Sequence, residues 1–417
     1  MQYRLRVFHM RAFLLSLLLL VALPLAAQPQ AKSAQAADEA RRSIASIEKT
    51  LEQRPEDATL WFYLSRAQVR AGELTAAVAS MQNVARYGEG FLPTREDFGP
   101  LWDHAEFREL REKMAERLPR LDYAPNAFTL EDRTLIPEGI AYDAPSHSFF
   151  LGSILQHKVL RVAEDGGTTE FAGLSGDLDE VLGLAMDAPR RVLYVVSTNA
   201  LTAAGEAKRR NAIVAYDVDT RRMLNRFEVP GAKQLNDVTV APGGRVFTTD
   251  SASGAVFEVA VKGPGPTRTL VPADTLRGSN GLAASPDAKR LFIAHATGIA
   301  VVDLATGDVK RVENRTRETV AAIDGLYEWR GELIGVQNVT NPGRVIRMRL
   351  SPQGDAIVSV RTMLSHHHAA LAEPTTAVPT DHGLFVLAAT GVGHYNRQGL
   401  VDHPETLPRP TVVRVPL

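Results

Sequence analysis

The sequence predicts an all-β six-bladed β-propeller over residues 126–417, preceded by a small α-helical module over residues 38–120. Two observations predict the propeller. From residue 126 onward the chain breaks into short β-rich runs separated by Pro, Asp and Gly turns. Within these runs six segments align: Glu138-Gly139-Ile140-Ala141, Leu182-Gly183-Leu184-Ala185, Asn236-Asp237-Val238-Thr239, Asn280-Gly281-Leu282-Ala283, Asp324-Gly325-Leu326-Tyr327 and Thr375-Thr376-Ala377-Val378. Their first residues lie 44, 54, 44, 44 and 51 apart, the spacing of propeller blades.

Ahead of both parts, Arg4, Arg6 and Arg11 precede an apolar run from Ala12 to Ala26 broken by Ser16. That order reads as an export signal over residues 1–27, because a spanning helix needs roughly 20 apolar residues and this run is shorter. Cleavage after Ala27 is favoured, with Ala36 as the alternative. The chain carries 47 basic and 48 acidic residues, and losing those three arginines leaves it mildly acidic. This balance gives no electrostatic reason to bind nucleic acid or an anionic membrane. With no cysteine, thiol catalysis, thiolate metal sites, disulfides and lipid attachment to cysteine are excluded. Export without disulfides suits a bacterial periplasm.

Residues 38–120 follow a 3.6-residue rhythm broken at Pro55-Glu56-Asp57, at Ala71-Gly72 and around Gly88 to Pro93. Trp61, Leu64, Ala67, Gly72 and Ala77 resemble one tetratricopeptide hairpin. A single hairpin fits packing against a neighbour better than peptide capture, though a protein partner is the other reading.

Each aligned segment is followed by a second and a third apolar run. Fourth runs follow in five units, and the sixth unit ends on its third. An edge left there would expose unpaired backbone groups, so Phe128 to Leu135 is expected to close the ring as the last blade's outer strand.

In a propeller the start of each first strand and the end of each second strand share one face. The inner ring on that face is Glu138, Leu182, Asn236, Asn280, Asp324 and Thr375. The second strands end fifteen residues further on, fourteen in the fifth blade, at Ser153, Ser197, Ser251, His295, Asn338 and Thr390. Two carboxylates, two amides and a hydroxyl converging from different blades suit Ca²⁺, with Mg²⁺ or Mn²⁺ as alternatives. The lack of histidine in that ring argues against Zn²⁺ or Fe²⁺. The bland reading is a wet channel mouth with solvated polar residues, but clustering of Asn, Asp and Glu at one register weakens it.

Pro137-Glu138-Gly139, Leu235-Asn236-Asp237, Ser279-Asn280-Gly281 and Ile323-Asp324-Gly325 resemble the gluconolactonase family that includes regucalcin and luciferin-regenerating enzyme. The resemblance implies a single divalent metal held by Glu138, Asn280 and Asp324. It also implies that Asn236 contacts substrate and metal-bound water, and that Asp324 is the general base. Val238 stands where sugar lactonases of this family usually carry Gly.

His295 is a further candidate, as substrate contact or proton carrier, against an equally weighted hydrogen-bonding role. His366-His367-His368 reads as a solvated loop before it reads as a transition-metal site. Asn314-Arg315-Thr316 and Asn338-Val339-Thr340 match the glycosylation sequon, which carries little weight in a bacterial-looking chain. Ser153 and Ser251 show no sign of an activated nucleophile. The expectation is a metal-dependent hydrolase of a lactone or activated ester. The rivals are a noncatalytic exported scaffold whose helical module recruits a partner, and a small-molecule sensor.

Overall fold

Among the described residues five α-helices precede the first strand: α1 (Ala27–Leu51), α2 (Ala58–Ala71), α3 (Leu74–Tyr87), α4 (Arg95–Phe98) and α5 (Ala105–Glu116). The computed structural model describes residues 27–417 apart from positions 174, 204, 206, 207, 262–266, 339 and 340. The expected export signal therefore lies, but for Ala27, outside the described residues. The helix breaks fall where the sequence puts them. Asp57 caps α2 by accepting from the amides of Thr59 and Leu60, and Gly72 ends it in the left-handed region that glycine tolerates. Phe62, Met81, Phe91, Phe98 and Phe107 form the module's core. No helix among the described residues is long and apolar enough to cross a membrane.

Six sheets follow, antiparallel but for one short outer strand in the fifth. Their first strands are Pro137–Asp143, Glu180–Asp187, Leu235–Ala241, Leu282–Ala284, Ile323–Trp329 and Ala377–Thr380. The second strands are Ser148–Ser153, Val192–Thr198, Arg245–Asp250, Arg290–His295, Glu332–Gln337 and Gly383–Ala389. Successive blades meet through separate buried apolar clusters, one at each of the six seams, so the core is a ring of wedges. Arginines add clasps between blades on the face opposite the inner ring. Arg190 donates to the Gly243 carbonyl at 2.9 Å and Arg290 to the Gln353 carbonyl at 2.6 Å.

The ring closes by joining its two ends, with a shifted closing strand. Asn126–Thr129 pairs antiparallel with Thr411–Val415, Phe128 facing Val412 and Thr129 facing Thr411. The expected extension to Leu135 does not form. Asp132 accepts from the amide and hydroxyl of Thr134, and this local turn starts a 3₁₀ helix over Arg133–Leu135. The fifth blade gains an unexpected outer strand, Glu313–Asn314, parallel to the start of Ala356–Leu364.

The helical module sits on the face that carries the inner ring, over blades four and five. Tyr63 donates to the Ala296 carbonyl at 2.9 Å. The Glu89 amide donates to Arg317 at 2.7 Å, the Thr319 amide returns a bond to Glu89 at 3.0 Å, and the Leu92 amide donates to Asn341 at 2.8 Å. The module is thus keyed into the propeller by backbone pairing as well as by side chains.

Candidate metal centre

The inner ring owes its tightness to the residue after most of its members. Gly139, Gly183, Gly281 and Gly325 occupy that next position in four blades. A Cβ on any of the first three would strike the inner strand of the next blade, and one on Gly325 would strike the Tyr327 ring of its own strand. The close approach lets adjacent blades bond directly. Gly281 N donates to Asp324 O at 2.7 Å and Gly325 N to Thr375 O at 3.1 Å. The third blade breaks the pattern with Asp237, so a carboxylate stands beside the axis just beyond Asn236.

Glu138, Asp237 and Asp324 are all buried, and none forms an ion pair among the described residues. Burial pushes the Glu138 carboxyl well above the usual range, and the charges of Asp324 and Asp237 add to the shift. Asp237 is pushed up to about 7, again by burial first. Asp324 moves the same way through burial, opposed by hydrogen bonds from Asn338 and Asn280 and reinforced by Glu373. Asn280 Nδ2 donates to Asp324 Oδ1 at 2.6 Å, and Asn338 Nδ2 donates to the other carboxylate oxygen.

Glu138 Oε2, Asn236 Oδ1 and Asn338 Oδ1 are buried without a hydrogen-bond partner among the described residues. Buried oxygens without donors are costly, and a hard cation satisfies such a set. Among the described residues no three His, Asp or Glu side chains gather as a metal-ligating group by themselves. Amide oxygens are needed to complete a coordination shell, and the inner ring supplies them. The residues present therefore fit a divalent cation.

The remaining sequence candidates divide clearly. Leu182 is buried in the apolar cluster between blades two and three and offers no oxygen. Thr375 spends its hydroxyl on the Glu138 carbonyl at 2.9 Å, and Thr376 donates there too at 2.6 Å, fixing the strand that carries Glu138. His295 lies beside Asn280, whose amide donates to Ala294 O at 2.9 Å. Its Nδ1 accepts from the Thr297 amide at 3.4 Å. Burial, with the nearby Arg311 and Arg54, lowers its imidazole to about 4, so it is neutral at pH 7.

In the outer ring, Ser197 accepts from Asp179 N at 2.9 Å, Ser251 donates to Ser279 O at 2.6 Å, and Thr390 donates to Glu373 O at 3.0 Å. Ser153 donates to Leu135 O. These hydroxyls brace loops, and only Asn338 reaches the acids. The three consecutive histidines are half-buried instead of forming a solvated loop, and two of them are hydrogen-bonded. His367 Nδ1 lies 3.0 Å from Ser365 Oγ, and His368 Nε2 lies 2.8 Å from the Ala124 carbonyl, tying the 5–6 connection to the interdomain linker.

Sequence reasoning left Asp237, Asn338 and Tyr327 without a role. Tyr327 accepts from Ala377 N at 2.7 Å, and burial beside Asp237 raises its phenol. The signal for Asp237 lay in the register itself, an acid where four blades carry Gly. Asp237 also heads a cavity of about 420 Å³ that follows the channel to the opposite face, with Tyr142, Leu184, Thr239 and Tyr327 in its wall.

Six blades around an axial mouth of buried acids and amides define a six-bladed propeller with an oxygen-rich site at one end. The sequence profile described as SMP-30/Gluconolactonase/LRE-like region matches residues 136–372, and the chain belongs to that family. Among solved structures it is similar to a gluconolactonase from Xanthomonas campestris, at 18% identity and a TM-score of 0.47 over 71% of this chain and 91% of that one. It is also similar to a luciferin-regenerating enzyme, at 14% identity and a TM-score of 0.45 over 68% of this chain and 92% of that one. No curated protein matches the chain.

Proposed function

We propose that this protein is a divalent-metal-dependent hydrolase of a lactone or activated ester, exported to the periplasm. Glu138, Asn280 and Asp324 hold one cation, Ca²⁺ first and Mg²⁺ or Mn²⁺ second, and Asn236 contacts the substrate. The observation that supports this reading is that Glu138, Asp237 and Asp324 are buried at the channel mouth beside amide oxygens of Asn236 and Asn338 that have no hydrogen-bond partner among the described residues.

A divalent cation bound there supplies Lewis-acid polarisation of a carbonyl. The chain's own residues do the rest. Asp324 accepts the proton of the attacking water, with Asn338 and Asn280 orienting its carboxylate. Asn236 and neutral His295 bind the substrate's polar edge, while the buried setting of Glu138 and Asp324 limits competing water. A carboxylate beside a cation is a weak base, so reactive esters and lactones are favoured over amides. We read α2 and α3 as a tetratricopeptide-like hairpin used for packing on the propeller.

Metal analysis of the purified full chain, paired with a panel of lactones and activated esters, tests the reading. One divalent ion per chain with chelator-sensitive hydrolysis is expected. A bound ion with no hydrolysis of any compound would favour the noncatalytic scaffold.

A further inference from the structure

We propose that the helical module positions the metal centre, acting through Gly90 and Arg344. This rests on the metal reading above and adds a second, distant determinant to it. Arg344 is a buried cation, 2% exposed, at the start of the fifth blade's third strand. Its guanidinium is fully engaged. Nε donates to Gln337 Oε1 at 2.8 Å, Nη1 to Glu318 Oε2 at 2.7 Å and Nη2 to the Thr319 carbonyl at 3.2 Å. Gln337 passes the constraint on by donating to the carbonyls of Ala321 at 2.8 Å and Thr319 at 3.2 Å.

Both of these partners lead directly to Asp324. Gln337 is the last residue of its strand, and the next residue, Asn338, donates to Asp324. Thr319 to Ala322 is the segment that delivers the chain into Ile323 and Asp324, and Ala322 within it holds φ at 50°, a left-handed backbone that needs outside support. Arg344 therefore braces Asp324 from its backbone and from its amide partner at once.

The module closes over this brace. Glu89 exchanges backbone bonds with Arg317 and Thr319, and the next residue, Gly90, lies so near Arg344 that a Cβ would overlap the guanidinium. Gly90 has φ at 83°. Gly72, in the same module, has nearly the same φ of 81° but nothing within 4 Å of its Cβ position. Alanine at the two positions thus imposes similar backbone strain, and only one of them disturbs Arg344.

Calorimetric titration of the full chain with CaCl₂ tests the coupling. Gly90→Ala is expected to weaken Ca²⁺ binding about tenfold or more, the effect usual for a group that orients metal ligands, while Gly72→Ala binds as wild type. Equal affinity in Gly90→Ala and wild type overturns the proposal. If Gly90→Ala does not fold, Glu318→Gln removes Arg344's ionic partner without adding atoms, and it must weaken binding in the same direction. If the wild type binds none of Ca²⁺, Mg²⁺ or Mn²⁺, the metal reading itself falls, and amide hydrogen exchange decides the coupling alone. Faster exchange over 319–324 and 333–338 in Gly90→Ala but not in Gly72→Ala supports it, and unchanged exchange overturns it.

Discussion

Asp324 occupies the point where the ring's geometry and its electrostatics meet. It accepts amide bonds from two blades, and its backbone carbonyl accepts from Gly281. Asp324→Asn keeps an oxygen in place but removes the charge and the basic site. Hydrolysis should therefore fall by about two orders of magnitude or more, the usual contribution of a general base, and by more than metal affinity does. Asp324→Ala should lose both, whereas Leu182→Ala, at the equivalent register of the second blade, should bind metal as wild type does. Paired titrations and rate measurements check this, and intact binding in Asp324→Ala would remove the assignment. Glu138 and Asp324 were legible because they recur at one register, whereas Asp237 stands one position beyond it. Asn338 was legible only as a member of the outer ring, and its bond to Asp324 was not, because that depends on the register that sets Ile323 opposite Gln337.

At the scale of elements, the blades could be read from the sequence because each strand is a short apolar run with a turn at both ends, and such runs repeat. The ends of strands were less legible, since local side-chain bonds decide them. Asp132 captures Thr134 and stops the closing strand at Thr129. The closing strand still carries weight beyond its four residues. Phe128 is buried at the seam of blades six and one, its ring 5.2 Å from that of Phe149, and Phe149 packs on Phe385 at 4.7 Å. Phe128→Ala should cost about 3–5 kcal/mol in urea unfolding, as for a large aromatic removed from a core. A loss below about 1 kcal/mol, the range of an ordinary surface change, would mean that the ring closes without this strand.

At the scale of the whole molecule, propeller and module share one load: a cluster of acids buried without a basic partner among the described residues. The docking place of the module, on the same face as these acids, was not legible, because it depends on Gly90, Glu89 and Arg317 meeting across more than two hundred residues of chain. Its consequence is a dependence of stability on pH and on metal together. Asp237 sits at about 7 in the fold against an ordinary value of 3.8, and Glu138 and Asp324 shift the same way. For a carboxylate raised on folding, stability is fully present below the unfolded value and is lost as pH rises through the folded one. Chelated protein should therefore lose stability from about pH 4 to about pH 7, the window between the two values. A bound cation compensates the ionised carboxylates, so the metal-loaded protein should not follow. Thermal unfolding with Ca²⁺ and with chelator, at several pH values across that window, isolates the effect, because groups remote from the centre contribute equally to both series. The gap in Tm should widen as pH rises, and Asp237→Asn should flatten it. A gap that stays constant or narrows would separate the acid cluster from the cation.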